Sequence, residues 1–266
     1  MLEHEWRKGN KTAYLKDYSD ETIYLEMPLV RIANKMIDMA DEGIPLTQNG
    51  NPKLAVLKEL YPFGPKDWYT ERHPEKQIRM NTCPTLSMVW YLFHDIGLFR
   101  KFKHTVRLSR MGRELKDHPQ RIAHHLFNAL QTTADTSLLD GFEMDGFNDS
   151  LESVAEMLYI FGEDYQLASF YADKYAENEP LFGYFYNLFQ GENRNNLVSC
   201  FEVRIMVRFF KWFGLVEELE SYYDEEKGEI IPAKFKTTPL FKKLIAIDFR
   251  PTFVYPLYYI NNNYTN

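Results

Sequence analysis

From Pro28 the apolar positions Leu29, Ile32, Ala33, Met36, Ile37 and Ala40 recur at three- and four-residue spacing, which predicts an amphipathic helix that Gly43 stops. A second helix is expected after residues 46–54, with Asn51 as its cap, Pro52 in its first turn and Val56, Leu57 and Leu60 on its inner side. Pro62 and Gly64 end it, and the Pro-, Gly- and charge-rich stretch 63–81 reads as a loop. Pro84 then opens a helix whose buried side is Leu86, Val89, Trp90, Phe93 and Ile96, and Gly97 supplies its left-handed stop. Residues 99–108 alternate imperfectly, with Phe102, Val106 and Leu108 apolar among cations, as a short two-stranded wing does. Ser109 caps the next helix, with Met111 and Leu115 as its apolar positions.

Residues 121–191 are almost wholly helical in pattern. One face carries Ile122, Ala123, Leu126, Phe127 and Leu130, a second carries Leu151, Val154, Ala155, Leu158 and Tyr159, and a third carries Leu167, Phe170, Tyr171, Lys174 and Tyr175. The glycine-containing stretch 140–146 breaks them. The final third then repeats the plan of residues 84–115: Val203, Val207, Phe210 and Phe213 form a helix face, Gly214 stops it, 215–232 is a longer wing, and Thr237 or Thr238 caps a helix with Leu240, Phe241, Leu244 and Ile245. Gly97-Leu98 aligns with Gly214-Leu215 and Ser109 with Thr238, if the second wing is the longer.

The expected fold is therefore mainly α, with two winged-helix-like modules carrying small β wings around a helical middle segment. The boundaries are a lead-in at 1–27 that docks late or frays, a first module with its preceding helices at 28–130, the middle at 131–195, a second module at 196–248 and a tail at 249–266.

Three landmarks carry a resemblance: Leu46-Thr47 with Gly50-Asn51, the helix-Gly-Leu-wing-Ser-x-x-Gly-x-x-Leu module from Trp90 to Leu115, and the closing Lys236-Thr237-Thr238-Pro239-Leu240-Phe241. Over residues 28–247 the chain resembles a poorly characterised group of bacterial proteins that are mostly helical with winged-helix-like segments and have no established activity. The resemblance implies a fold and leaves the function open. Pro239 and Phe241 stand where the first module has Arg110 and Gly112, so the two modules are not expected to share one role.

Composition narrows the function classes. Apolar residues at 45% of the chain and aromatics at 16% of it support a packed core, and a net charge of −7 disfavours wrapping nucleic acid over the whole surface. Two cysteines, Cys83 and Cys200, form neither a disulfide framework nor a zinc ribbon. No stretch approaches the roughly 18 apolar residues of a membrane helix, and the charged start is unlike a signal peptide, so a cytoplasmic protein without membrane contact is expected.

Against that acidic background, Arg100, Lys101, Lys103, Arg107, Arg110, Arg113 and Lys116 place seven cations in seventeen residues on the wing and the helix after it. Such a wing can neutralise phosphates, or serve as a face for an acidic partner, including the acidic region at 140–156. The helix preceding it lacks the Arg, Asn or Gln that read bases, so any duplex DNA binding is expected to be weakly sequence-specific. A different chemistry is offered by His94-Asp95, which resembles the adjacent metal ligands of HD-type phosphohydrolases. His73, His118, His124, His125 and Asp135 are the further candidates, at poor spacing. The simpler account makes His94 and Asp95 the polar last turn of a helix. The aromatic cluster Phe182, Tyr184, Phe185, Tyr186 and Phe189 fits core packing better than a ligand pocket. No phosphate-binding, nucleophile-elbow or zinc-protease motif is present. The sequence thus points to a non-enzymatic binding or regulatory protein without cofactor or metal, acting on a protein partner, with Arg100, Lys101, Lys103, Arg107, Arg110 and Arg113 as contact residues. DNA binding by residues 100–116 is the alternative and HD-type hydrolysis the third.

Overall fold

Pro28 fixes the backbone angle of a first helical turn, and the stripe that follows it forms α1 (Pro28–Glu42), which buries Leu29, Ile32, Ala33, Met36, Ile37 and Ala40. A computed structural model describes residues 11–73, 78–132, 151–177, 180–188 and 191–249. Strand β1 (Lys11–Leu15) precedes α1, and β2 (Ile44–Pro45) follows it beyond Gly43. The residues after β2 close a tight loop: Leu46 bridges Pro52, and the Thr47 amide and hydroxyl both donate to the Asn51 carbonyl, at 2.8 and 3.1 Å. Gly50 takes φ 82° inside it. The Leu-Thr-x-x-Gly-Asn landmark is thus a turn device, and Pro52 is spent on that bridge, so that Lys53, not Asn51, holds the N-cap position of α2 (Leu54–Leu60), without a side-chain capping bond. A short helix, α3 (Trp68–Arg72), lies in the segment expected as loop. α4 (Pro84–Asp95) leads into β3 (Phe99–Phe102) and β4 (Thr105–Leu108), and the sheet order is β2-β4-β3, all antiparallel.

After α5 (Arg110–Leu115) and α6 (Pro119–Thr132), the same order of elements returns. Helix α7 (Leu151–Phe161) precedes β5 (Gln166–Leu167), α8 (Ala168–Ala176), α9 (Pro180–Leu188) and α10 (Glu192–Phe201), which continues as a π-helix over Glu202–Lys211. β6 (Val216–Leu219), β7 (Tyr222–Asp224), β8 (Glu229–Ile231) and β9 (Lys234–Thr237) come next, before α11 (Pro239–Leu244) and β10 (Ile245–Phe249). The second sheet is β5-β9-β6, in which the first, last and middle strands take the places of β2, β4 and β3. The β7–β8 hairpin is the insertion that lengthens the second wing.

The match extends to single hydrogen bonds. Gly97 and Gly214 sit at φ 75° and 69°, a left-handed turn that side chains with a Cβ resist. The amide of Leu98 donates to Phe93 at 2.9 Å and that of Leu215 to Phe210 at 2.8 Å, so the helix ends are capped alike. Ser109 Oγ accepts from the Gly112 amide at 3.1 Å, and Thr238 Oγ1 accepts from the Phe241 amide at 3.3 Å. Gly112 admits no side chain because a Cβ there would lie 2.5 Å from the Leu98 carbonyl oxygen, whereas Phe241 fills the corresponding place as a buried aromatic. Met111, expected inside, points out.

Three further differences from the sequence expectation have physical causes. Lys11–Leu15 does not fray: it pairs antiparallel with Ile245–Phe249 and buries Ala13 and Leu15, joining the two ends of the described chain. The π-helical winding closes rings by i to i−5 bonds, such as the Trp212 amide to the Val207 carbonyl at 3.1 Å, so the inner face becomes Arg204, Ile205, Met206, Phe209 and Phe210, with Val203 and Val207 at its margin. On α7, Glu156 is buried where a 3.6-residue stripe predicts Tyr159, which is exposed.

The halves are packed, not strung. The Leu29 amide at the start of α1 donates to the Trp212 carbonyl at 2.9 Å, and Phe127 of α6 packs on Phe209 and Phe213 at ring distances of 5.0 and 5.6 Å. Buried side chains from β1 to β10 form one continuous core. No helix among the described residues is long and apolar enough to cross a membrane.

Candidate functional site

The β3–β4 hairpin is held from below and open above. Strand alternation sends Phe99, Val106 and Leu108 into the core and leaves Arg100, Phe102, Thr105 and Arg107 on the outer face. Arg100 stands directly opposite Arg107 in the register, and like charges at that position repel. Phe102 is 52% exposed, with Arg107 and Lys103 over its ring at 5.7 and 5.8 Å from the centroid. The turn is two residues, Lys103 and His104, and Lys103 adopts φ 53°. A non-glycine residue there costs about 1 kcal/mol, and the cost is borne at the tip of the wing, where it projects a cation. The 46–52 loop braces the hairpin from one side, through the Leu46 amide donating to the His104 carbonyl at 2.9 Å. Gly50 lies beside that flank, where a Cβ would make only an ordinary 4.0 Å contact with Lys101 Nζ.

The cations separate into two groups. Among the described residues, Arg100, Lys101, Lys103 and Arg107 have no carboxylate partner and all are exposed. Arg110 pairs with Glu114 at 3.0 Å, Arg113 donates to the Leu108 carbonyl at 3.1 Å, and Lys116 pairs with Asp41 at 2.6 Å, the last raising the lysine pKa through a hydrogen bond to the carboxylate. The sequence cluster therefore resolves into four uncommitted cations on the wing and three engaged ones on and beside α5. Of the acidic region suggested as their partner, Glu156 is buried, and residues 140–150 lie outside the described residues.

Helix α4 offers little to a nucleic acid groove. Thr85, Leu86, Ser87, Met88, Val89, Trp90, Leu92 and Phe93 are buried, and its exposed positions are Tyr91 and Asp95. His94 packs between Trp90 and Phe99, at ring distances of 5.0 and 5.6 Å, and burial lowers its pKa against the opposing charge of Asp95. Of its candidate co-ligands, His118 lies 3.6 Å from Glu21 and His124 3.1 Å from Asp17, while Asp135 lies outside the described residues. Among the described residues no three His, Cys, Asp or Glu side chains gather as a metal site.

Both cysteines are buried. Cys83 donates its thiol to Asp67 at 2.7 Å, and burial followed by the neighbouring carboxylate pushes the thiol pKa up, away from thiolate chemistry. Asp67 also accepts from the Thr85 hydroxyl at 3.1 Å in the first turn of α4; burial raises its pKa, and these bonds with the charge of Arg208 oppose the rise. The aromatic cluster is core where it is described: Phe182 stacks on Tyr186 at 5.6 Å and meets Tyr175 at 4.8 Å, while Tyr184 is exposed. The side chain of Phe185 and all of Phe189 lie outside the described residues.

One surface went unnoticed in the sequence, although its signal is as dense as that of the basic wing. Residues 217–229 hold seven carboxylates in thirteen positions, on and around the β7–β8 hairpin. Glu217 and Glu218 pair with Lys236 and Lys211 at 2.7 and 2.5 Å, and Asp224 accepts the Glu226 and Lys227 amides in the turn. Glu220, Glu225, Glu226 and Glu229 remain exposed and unpaired among the described residues.

No family model, curated protein or solved structure compared with this chain matches it.

Proposed function

We propose that this chain is a non-catalytic binding protein whose contact surface is the outer face of the β3–β4 hairpin and whose partner is an acidic protein surface. The observation that carries the proposal is the pairing of Arg100 with Arg107 across the two strands, beside exposed Phe102 and with no carboxylate among the described residues to neutralise either. An arrangement that repels itself in the free protein is relieved by an incoming anionic group, and the aromatic ring adds apolar contact area beside it. In this account the two halves are winged-helix-like modules, each built as helix, short strand, helices and hairpin. The resemblance to mostly helical bacterial proteins with such segments supports the same fold. Two buried cysteines, neither in a disulfide, accord with a reducing cytoplasm.

Duplex DNA is the competing ligand for a basic wing. The burial of α4 and the carboxylate of Asp95 on its exposed side favour protein over DNA, because they leave nothing to enter a groove. The test is a titration of the full chain with a soluble Glu-Tyr copolymer and, separately, with a duplex oligonucleotide, beside an Arg100→Glu, Lys101→Glu, Arg107→Glu variant. Copolymer binding that the variant loses supports the proposal. Binding of duplex DNA alone replaces it with the DNA reading, and binding of neither probe refutes both.

A further inference from the structure

The two wings occupy equivalent places in the two sheets, yet they are opposite in charge. The first presents four cations with no ion-pair partner among the described residues, Arg100, Lys101, Lys103 and Arg107. The second, lengthened by the β7–β8 hairpin, presents four carboxylates likewise without an ion-pair partner among the described residues, Glu220, Glu225, Glu226 and Glu229. Each hairpin that carries these charges also exposes apolar side chains: Phe102 on the first wing, and on the second Tyr223 and Ile230, which face each other across β7 and β8 and are 61% and 70% exposed. Tyr222, paired with Ile231 on the other face of the hairpin, and Leu219 at the end of β6 are also exposed. A two-stranded hairpin with no sheet or helix over its apolar pair is marginal alone in water, so a covering partner stabilises it.

We infer that the acidic partner of the basic wing is the β7–β8 hairpin of a second copy of this chain, so that the protein self-associates wing to hairpin. The inference rests on the proposed reading of the basic wing and names its partner. Three features support this occupant. The counts of unpaired opposite charges match, and both sets flank exposed aromatic or aliphatic side chains. Among the described residues, neither set is neutralised within its own chain. Juxtaposed opposite charges around an apolar centre also set the register of such a contact and disfavour wing-to-wing or hairpin-to-hairpin pairing.

The experiment is sedimentation velocity of the full chain at about 0.1 M and about 1 M salt, between which the Debye length falls from ~10 to ~3 Å. The wing variant Arg100→Glu, Lys101→Glu, Arg107→Glu and the hairpin variant Glu220→Lys, Glu225→Lys, Glu226→Lys, Glu229→Lys are run alone and mixed, with circular dichroism to establish that each is folded. The parent is expected to sediment as a species larger than a monomer at low salt and to dissociate at high salt. Each variant alone is expected to associate on the order of a hundredfold more weakly, because like charges then face each other. The mixture is expected to reassociate, because the acidic wing of one variant meets the basic hairpin of the other. A parent that stays monomeric at low salt, a folded variant that still associates, or a mixture that fails to reassociate overturns the inference. The salt dependence of the parent needs no variant to fold. A monomeric parent that still binds the Glu-Tyr copolymer through its wing overturns self-association and leaves the binding function standing; a parent that does neither overturns both.

Discussion

Replacing Gly97 and Gly214 by alanine, one at a time, separates what the two halves share from what joins them. Both glycines hold a left-handed turn, φ 75° and 69°, at the end of the helix that precedes a wing. An alanine in that conformation costs about 1–2 kcal/mol, and this part of the penalty is common to both sites. The surroundings differ. A Cβ at Gly97 meets only the Met111 methyl at 3.8 Å, an ordinary contact with the end of a flexible side chain. A Cβ at Gly214 lies 3.0 Å from Pro28 Cδ, an atom of a ring locked into the first turn of α1. Relief there moves α1 against the other half, close to the Leu29 to Trp212 hydrogen bond at 2.9 Å. Overpacking of this kind adds roughly 1–3 kcal/mol, so Gly97→Ala is expected to cost ~1–2 kcal/mol and Gly214→Ala ~2–4 kcal/mol. Urea unfolding of both variants and the parent, followed by circular dichroism, measures the difference as a shift in midpoint at constant slope. Equal losses, or a larger loss for Gly97→Ala, would refute the claim that the second turn is wedged against the first half.

Two other substitutions test one half-buried and one buried group. Glu202 in the π-helix has its pKa raised from 4.5 to about 7 by burial and then by the charge of Glu218. The folded state therefore binds the proton more tightly than the unfolded one, and stability falls as pH rises from 4.5 through about 7. Glu202→Gln should flatten that slope and be the more stable protein at pH above that window, by on the order of 2 kcal/mol once its partial contact with solvent is allowed for. A variant with the parent's pH profile would show that Glu202 is not the group responsible. The buried Tyr171 hydroxyl finds no hydrogen-bond partner among the described residues, and burial raises its pKa. Tyr171→Phe is expected to stabilise by about 1 kcal/mol in thermal or urea unfolding, and a loss of stability would contradict the orphan hydroxyl.

The repeat was legible wherever it depends on residues with few substitutes. Gly97 and Gly214 announce left-handed turns, Ser109 and Thr238 announce caps, and the structure places each pair in matching hydrogen bonds. The strands that complete the two sheets were not legible, because Ile44–Pro45 and Gln166–Leu167 are two residues long and carry no alternation to detect. Pairing of Lys11–Leu15 with Ile245–Phe249 joins segments at opposite ends of the sequence, where local pattern holds no information about a partner. The π-helix hid itself for a different reason: its longer winding moves Arg204 and Met206 inward, against the period by which a helix face is sought. For the candidate site, charge density marked the wing, but only the structure separates Arg100, Lys101, Lys103 and Arg107 from the engaged Arg110, Arg113 and Lys116. The acidic counterpart at 217–229 escaped notice because a carboxylate run in an acidic chain stands out less than a basic one.

The basic wing is tested most directly by titrating the Glu-Tyr copolymer into the parent, the wing variant and the hairpin variant under identical low-salt conditions. The account predicts that the parent and the hairpin variant bind, that the wing variant does not, and that salt weakens binding wherever it occurs. Equal binding by parent and wing variant would contradict it, because the four unpaired cations of the β3–β4 hairpin would then not be the contact surface.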